Sequence, residues 1–273
     1  MKPIEELTFT DDYMFGEIMK IEEICKGVIE RLLHIQIEKI EYITLQKEIS
    51  PFYETRGVRF DVFVKDSDKV YDIEMQNRKY ADIEKRTRYY QAMIDMDMLA
   101  KGASFRELKD SLIIFICKTD LFDLGEPCYK TKTIFENYPD RIFDDRTQKL
   151  FYNASAYKKE TDEELYKFLQ FISTNKPESE FTKEIFERVE TTKINEKFRS
   201  DYMRCNIRDF DIREEGKTEG ITIGEAKGRR DAKLEAAKNL IDLGVSLDII
   251  SKAQDLPLET VQQLADDILP THL

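Results

Sequence analysis

Histidine occurs only twice, at His34 and His272, and tryptophan not at all. So few imidazoles argue against a Ser-His nucleophile and against His-based general acid–base catalysis. The four cysteines are Cys25, Cys117, Cys128 and Cys205; none form a Cys-x-x-Cys pair, and the closest two stand eleven positions apart. A zinc site is therefore not expected. Long apolar runs are missing as well: the longest, 112–117, falls far short of the ~20 residues of a membrane span. The start, Met1-Lys2-Pro3-Ile4-Glu5-Glu6, lacks the basic-then-apolar order of a signal peptide, so a cytoplasmic chain with no membrane contact is expected. Positive charge is in deficit, with 43 Lys and Arg against 55 Asp and Glu. The resulting formal charge of −12 disfavours strong non-specific DNA binding by the surface as a whole, but leaves room for a local basic patch.

What is plentiful is carboxylate. Catalysis by this chain must draw on carboxylates, amides, Lys, Arg or Tyr, and that pool suits a hard, oxygen-bound cation such as Mg2+ or Mn2+. The 273 residues hold one large domain or two small ones.

Apolar residues at 14, 15, 18, 21, 25, 28, 29 and 32 predict a helix over 14–33, with Thr10 as cap and Asp11 and Asp12 in an acidic first turn. A strand is expected over 40–49. Alternating apolar and polar residues over 58–65 and 70–76, separated by Asp66-Ser67-Asp68-Lys69, predict a β-hairpin. A helix follows over 82–99 and a buried strand over 111–118. The order predicts a mixed α/β core in the first ~120 residues. From 161 to 210 the pattern is helical and amphipathic. Gly216, Gly220, Gly224 and Gly228 then recur every four residues, either as a flexible linker or as a helix whose glycine face admits a close neighbour. Gly244 stops a helix begun at 232, Ser246 is placed to cap a short helix from 247, and Pro257 to open another ending at 268.

The hairpin carries the chemistry. With Ser67 and Asp68 as turn residues, antiparallel partners have numbers summing to 135. Val64 then faces Tyr71, Val62 faces Ile73 and Phe60 faces Met75, all on one sheet face. On the other face Asp61 lies opposite Glu74, with Asp72 and Gln76 on the same side. Two facing carboxylates repel. Either Lys and Arg neighbours neutralise this polar row, or a cation takes an oxygen from each.

Asp61, then Glu74-Met75-Gln76 on the next strand, with a helix and strand before and a helix after, resembles the PD-(D/E)XK nuclease superfamily. More closely, the chain resembles the Rpn family of recombination-promoting nucleases, also called transposases. The matching stretches are Thr8-Phe9-Thr10-Asp11-Asp12-Tyr13-Met14-Phe15, Gly57-Val58-Arg59-Phe60-Asp61-Val62, Tyr71-Asp72-Ile73-Glu74-Met75-Gln76 and Arg86-Thr87-Arg88-Tyr89-Tyr90-Gln91. The likeness spans about 7–135. Phe60 stands where the superfamily name implies Pro, and Gln76 where it implies Lys.

The resemblance implies a restriction-endonuclease-like α/β core (helix, three-stranded antiparallel meander, helix, strand) with a helical C-terminal extension. It implies a metal-dependent DNA endonuclease acting in recombination or on mobile or foreign DNA. Asp61 and Glu74 would bind Mg2+ or Mn2+, the Met75 carbonyl adding a ligand, and Gln76 would orient a water, since an amide is no base. Arg86, Arg88 and Tyr90 are candidates for phosphate or DNA contact; Arg86 would hold a phosphate or anchor the metal-site carboxylates, with Tyr90 packing or hydrogen-bonding beside it. The alternatives at those positions are an Arg86 salt bridge to Asp82 and core packing of Tyr90. The segment 77–91, five positive residues against two negative, serves either a phosphate backbone or a solvated helix face. The expected division is a nuclease-like domain at 1–155, a helical extension at 156–212 and a tail at 213–273 through which copies self-associate. Two other functions share this sequence: a degenerate nuclease fold that binds DNA or protein without cutting, and a self-assembling interaction protein.

Overall fold

The structure, a computed structural model, describes residues 2–37, 40, 42–49, 57–66 and 68–268. Two compact units are present, Met1–Tyr202 and Met203–Leu273.

The helix expected over 14–33 is two helices, α1 (Asp12–Met19) and α2 (Glu22–Leu33). Between them Ile21 takes an extended backbone (φ −74°, ψ 111°) and becomes the residue that precedes α2, with Glu22 and Glu23 supplying negative charge to the new first turn. The bend directs Met14, Phe15 and Ile18 of α1 and Ile24, Val28 and Leu32 of α2 into one core. The apolar spacing continues through the bend and so hides it. Thr10 does not cap α1. Asp11 precedes the helix, and its carboxylate turns back to accept from the Thr8 N–H at 2.7 Å.

The strands β1 (Tyr42–Ile49), β2 (Val58–Lys65) and β3 (Lys69–Gln76) form the expected antiparallel meander. The β2–β3 loop is closed by the Asp66 N–H donating to the Lys69 carbonyl (2.9 Å); Ser67, the expected turn residue, lies outside the described residues. Helix α3 (Ile83–Met98) crosses over to β4 (Asp110–Cys117), parallel to β3. The segment 119–160, for which the sequence suggested no elements, adds β5 (Cys128–Lys130), a separate hairpin of β6 (Ile134–Phe135) and β7 (Tyr138–Ile142), and β8 (Thr147–Asn153). Strand β8 runs parallel to β4, and the six-stranded sheet has the order β1-β2-β3-β4-β8-β5.

Both faces of the sheet are covered. Helices α1 and α2 pack on one face with α4 (Glu163–Thr174) and α5 (Glu180–Lys193), around Phe9, Val62, Val64, Ile73, Ile114 and Phe168. Helix α3 covers the other face around Phe63, Tyr90, Ile113, Phe115 and Phe151. Two-sided burial is why β4 is a continuous apolar run instead of an alternating one. Tyr152 of β8 ties the sheet to α2 by donating its hydroxyl to the Leu32 carbonyl, one of the last four of the helix, which have no partner within it. Tyr152→Phe is expected to lower stability by about 1–3 kcal/mol, the cost of stranding a buried acceptor, measured by urea denaturation.

In the second unit, the glycines lie within α6 (Glu196–Asp242), so the helical reading holds and the linker reading does not. A Cβ built at Gly216, Gly220, Gly224 or Gly228 meets nothing within 4 Å. Ala237, Ile241, Ile250, Val261 and Ala265 form a small core between the end of α6, α7 (Leu247–Gln254) and α8 (Leu258–Ile268). Gly244 takes the left-handed conformation (φ +75°) that ends α6. Ser246 precedes α7 as expected, but its hydroxyl makes no capping bond.

Candidate active site

Two regularities of β2 stop together at Asp61. The first is the ladder to β3, which follows the expected register, Val64↔Tyr71 and Val62↔Ile73, and goes no further. The pairing expected at Phe60 and Met75 is absent from it. Side-chain oxygens take over instead: the Asp61 N–H donates to Glu74 Oε1 (2.9 Å), and the Met75 N–H donates to Asp61 Oδ2 (3.2 Å). Each carboxylate is held by the main chain of the neighbouring strand.

The second regularity is alternation. Val62 and Val64 face the α1–α2 core, as expected, but Phe60 lies in the opposite core with Phe63 and against Tyr90 (ring centroids 5.2 Å). The same change of face occurs in β1, where Ile43 packs on the first core and Ile49 sits in the second. The β1–β2 register is unbroken on both sides, Glu48↔Arg59 and Leu45↔Val62. The ribbon therefore twists across the sheet edge, as two-stranded ribbons do most strongly, and Asp61 sits at the crossing.

On β3, Asp72, Glu74 and Gln76 face α3 together with Val70, while Tyr71, Ile73 and Met75 face the other core. Arg86 reaches this row from the first turn of α3. Its Nη2 donates to Glu74 Oε2 (3.1 Å), its Nη1 to Gln76 Oε1 (3.4 Å), and its Nε and Nη2 to the Tyr90 hydroxyl (2.9 and 2.7 Å). Its ion pair is thus with Glu74, not Asp82. Tyr90, one turn on, does two things: its ring is packed in the core and its hydroxyl positions Arg86. Gln76 Nε2 donates to the Arg78 carbonyl (2.6 Å), which leaves the amide one N–H and one acceptor position. Arg88 is not brought into this cluster. Two residues beyond Arg86 it lies about 200° round the helix, and it is exposed.

The electrostatics are those of crowded, buried carboxylates. Glu74 is 2% exposed. Burial, then the charge of Asp61, pushes its pKa up to about 8. Burial, then the charge of Asp12, pushes Asp61 up to about 6. Asp72 is fully buried, its two oxygens have no hydrogen-bond partner among the described residues, and burial with the charges of Glu74 and Asp61 raises it well above the usual carboxylate range. Such groups stay protonated or await a cation.

Asp12, which the sequence reading assigned only to the acidic first turn of a helix, is a charged neighbour of Asp61. It opens α1, and the Asn77 amide, just after β3, donates to the Thr10 carbonyl two residues before it. That contact ties the start of α1 to the end of β3, and Asp12 stands inside the first of the four matching stretches. Among the described residues no three His, Cys, Asp or Glu side chains are grouped so as to hold a metal ion. Asp61 and Glu74 are the two facing carboxylates, and Asp12 acts on Asp61 through its charge.

A helix, an antiparallel meander, a crossover helix and a parallel strand, with two facing carboxylates where the meander parts, define a nuclease-like fold of the PD-(D/E)XK class. The chain belongs to the PD-(D/E)XK nuclease family transposases, whose pattern it matches over residues 9–211. No curated protein and no solved structure gives a match.

Proposed function

We propose that the protein is a divalent-metal-dependent DNA endonuclease that hydrolyses phosphodiester bonds in recombination or on mobile or foreign DNA. The observation that carries this reading is the parting of β2 and β3 at Asp61, where two crowded carboxylates are fixed by each other's main chain. A hard cation fits them. The donors are all oxygen, and burial with the charge of Asp61 makes an ionised Glu74 costly unless a cation joins Arg86 beside it.

Asp61, Glu74 and the Met75 carbonyl would hold Mg2+ or Mn2+. A bound ion supplies a water of lowered pKa and positive charge at the scissile phosphate. Gln76 orients the attacking water with its remaining N–H. Arg86, steadied by Tyr90, holds Glu74 and Gln76 in fixed relation. Exposed Arg78, Lys85 and Arg88 supply positive charge along the segment after β3, where a DNA backbone needs neutralising.

The test is purified protein with supercoiled plasmid and Mg2+ or Mn2+. Metal-dependent nicking abolished by chelation supports the reading. DNA bound tightly but never cut, with either ion, points to the second reading, a binding module on a nuclease fold, which the amide at Gln76 favours. Arg86→Lys is expected to slow cleavage about 10- to 100-fold, since an ammonium cannot bridge Glu74, Gln76 and Tyr90 as a guanidinium fork does. Tyr90→Phe keeps the packed ring and should cost a few-fold in rate and about 1 kcal/mol in stability. Initial rates and urea midpoints measure both.

A further inference from the structure

Besides its bonds to Glu74, Gln76 and Tyr90, the Arg86 guanidinium has three aromatic rings around it. Their centroids lie at 5.0 Å for Tyr90, 5.5 Å for Tyr80 and 5.7 Å for Phe115. Tyr90 and Phe115 belong to the core against α3, but Tyr80 is 46% exposed. An exposed tyrosine is ordinary by itself; the setting of this one is not. The guanidinium beside its ring also donates to Glu74 Oε2 at 3.1 Å, so the ring stands one guanidinium away from a carboxylate of the candidate site. Among the described residues no other ring meets Tyr80, and its hydroxyl makes no hydrogen bond.

The segment that carries the ring is held on both sides. Before it, the Arg78 carbonyl accepts from Gln76 Nε2 (2.6 Å), and Lys79 is ion-paired with Asp123 of the loop after β4. After it, α3 begins at Ile83. A ring fixed in this way loses little freedom when something covers it. Charge narrows what that is. Arg78, Lys85 and Arg88 are exposed, and none has an ion-pair partner among the described residues. Free cations on either side of an exposed ring suit a single nucleic-acid strand, with the cations along its backbone and the ring against a base. In an intact duplex each base is covered by its neighbours, and a ring beside the backbone meets only sugar and phosphate.

We propose that Tyr80 is a stacking platform for an unpaired base of the DNA strand whose phosphate lies at Asp61 and Glu74. The site then takes DNA that is single-stranded at the point of cutting in preference to intact duplex. This deepens, and rests on, the nuclease reading of those carboxylates. A supercoiled plasmid remains a substrate, because negative supercoiling favours strand opening.

The chain contains no tryptophan, so Tyr80→Trp places a single indole at this position, and its fluorescence reports a stacked base. Oligothymidylate, added with Ca2+ in place of Mg2+ or Mn2+, should quench that emission. The same strand annealed to its complement should need at least tenfold more DNA for equal quenching. By anisotropy of a labelled oligothymidylate, Tyr80→Ala should bind about 5- to 100-fold more weakly than wild type, the range for one base on an aromatic ring. Tyr80→Phe should bind as wild type does, since the ring and not the hydroxyl makes the contact. The two readings fail separately. Absent quenching, equal quenching by the duplex, a Tyr80→Ala variant that binds as tightly as wild type, or a Tyr80→Phe variant as weak as Tyr80→Ala overturns the platform, whether or not plasmid is nicked. Quenching confined to the single strand, without nicking in Mg2+ or Mn2+, supports the platform and overturns the nuclease reading.

Discussion

Asp61→Ala is expected to reduce metal-dependent DNA cleavage about a thousandfold or more, a barrier increase of about 4 kcal/mol, while the protein stays folded. Asp61 is where the meander parts, and among the described residues no other carboxylate bonds to the β3 main chain there. Its loss removes one of the two side chains proposed to hold the cation. The cost in stability is small because two effects oppose. The Met75 N–H loses its partner, worth about 1 kcal/mol, but a crowded carboxylate pushed up to about 6 disappears too. Glu74→Ala should abolish cleavage equally and destabilise more, because Glu74 also receives the Asp61 N–H and Arg86. Gln76→Ala should slow cleavage more mildly, about 10- to 100-fold, the range for a positioned group that orients rather than ligates. Plasmid nicking with circular dichroism on each variant reads these outcomes. Undiminished cleavage by Asp61→Ala would place the chemistry elsewhere.

The hairpin register was legible because side chains alternate with period two and one face is apolar. A slip by one residue would have turned Val62, Val64, Tyr71 and Ile73 away from the core. The same rule misplaced Phe60. Alternation assumes a flat strand, and the β1–β2 ribbon twists across the sheet edge at Asp61. That twist, with the exchange of main-chain for side-chain partners, converts two facing acids into a candidate site, and neither is written in the residue order. The break at Ile21 was hidden for a related reason: apolar spacing reports which residues are buried, not whether the axis bends. The negative pair Glu22-Glu23 was the available sign of a new helix start. Arg86 was placed correctly because i,i+4 spacing to Tyr90 is local. Its two candidate partners, the carboxylates of the meander and Asp82, could not be separated, because Glu74 is twelve residues away and comes near only when α3 packs on β3. Strand β8 did carry a short apolar signal in Leu150-Phe151-Tyr152, but the intervening β6–β7 hairpin buries nothing in the chain and so leaves no core pattern to read.

Glu74→Gln is expected to make the metal-free protein more stable even as it removes cleavage. Glu74 is buried, and burial with the charge of Asp61 raises its pKa from 4.5 to about 8. Below about pH 4.5 the carboxyl is protonated whether the chain is folded or not, and it contributes no pH dependence. Between about pH 4.5 and 8 the unfolded chain ionises it while the folded chain holds the proton. Stability then falls as pH rises, by at most about 1.4 kcal/mol per unit for one proton. Above about pH 8 both states are ionised and the loss is complete. Glutamine imitates the protonated form and cannot ionise, and its amide oxygen still accepts from the Asp61 N–H. The stability difference between Glu74→Gln and wild type should therefore open as pH rises through 5 to 8 and level off beyond, reaching on the order of 2–4 kcal/mol. Urea denaturation in chelator at half-unit pH steps measures it. Added Mn2+ or Mg2+ should reverse the order at pH 8. Only the wild type can exchange its proton for the cation and gain the stability that a ligand confers on the folded state. A gap that stays constant with pH, or a variant stabilised by the cation as much as wild type, would show that Glu74 is an ordinary paired carboxylate and not a strained ligand.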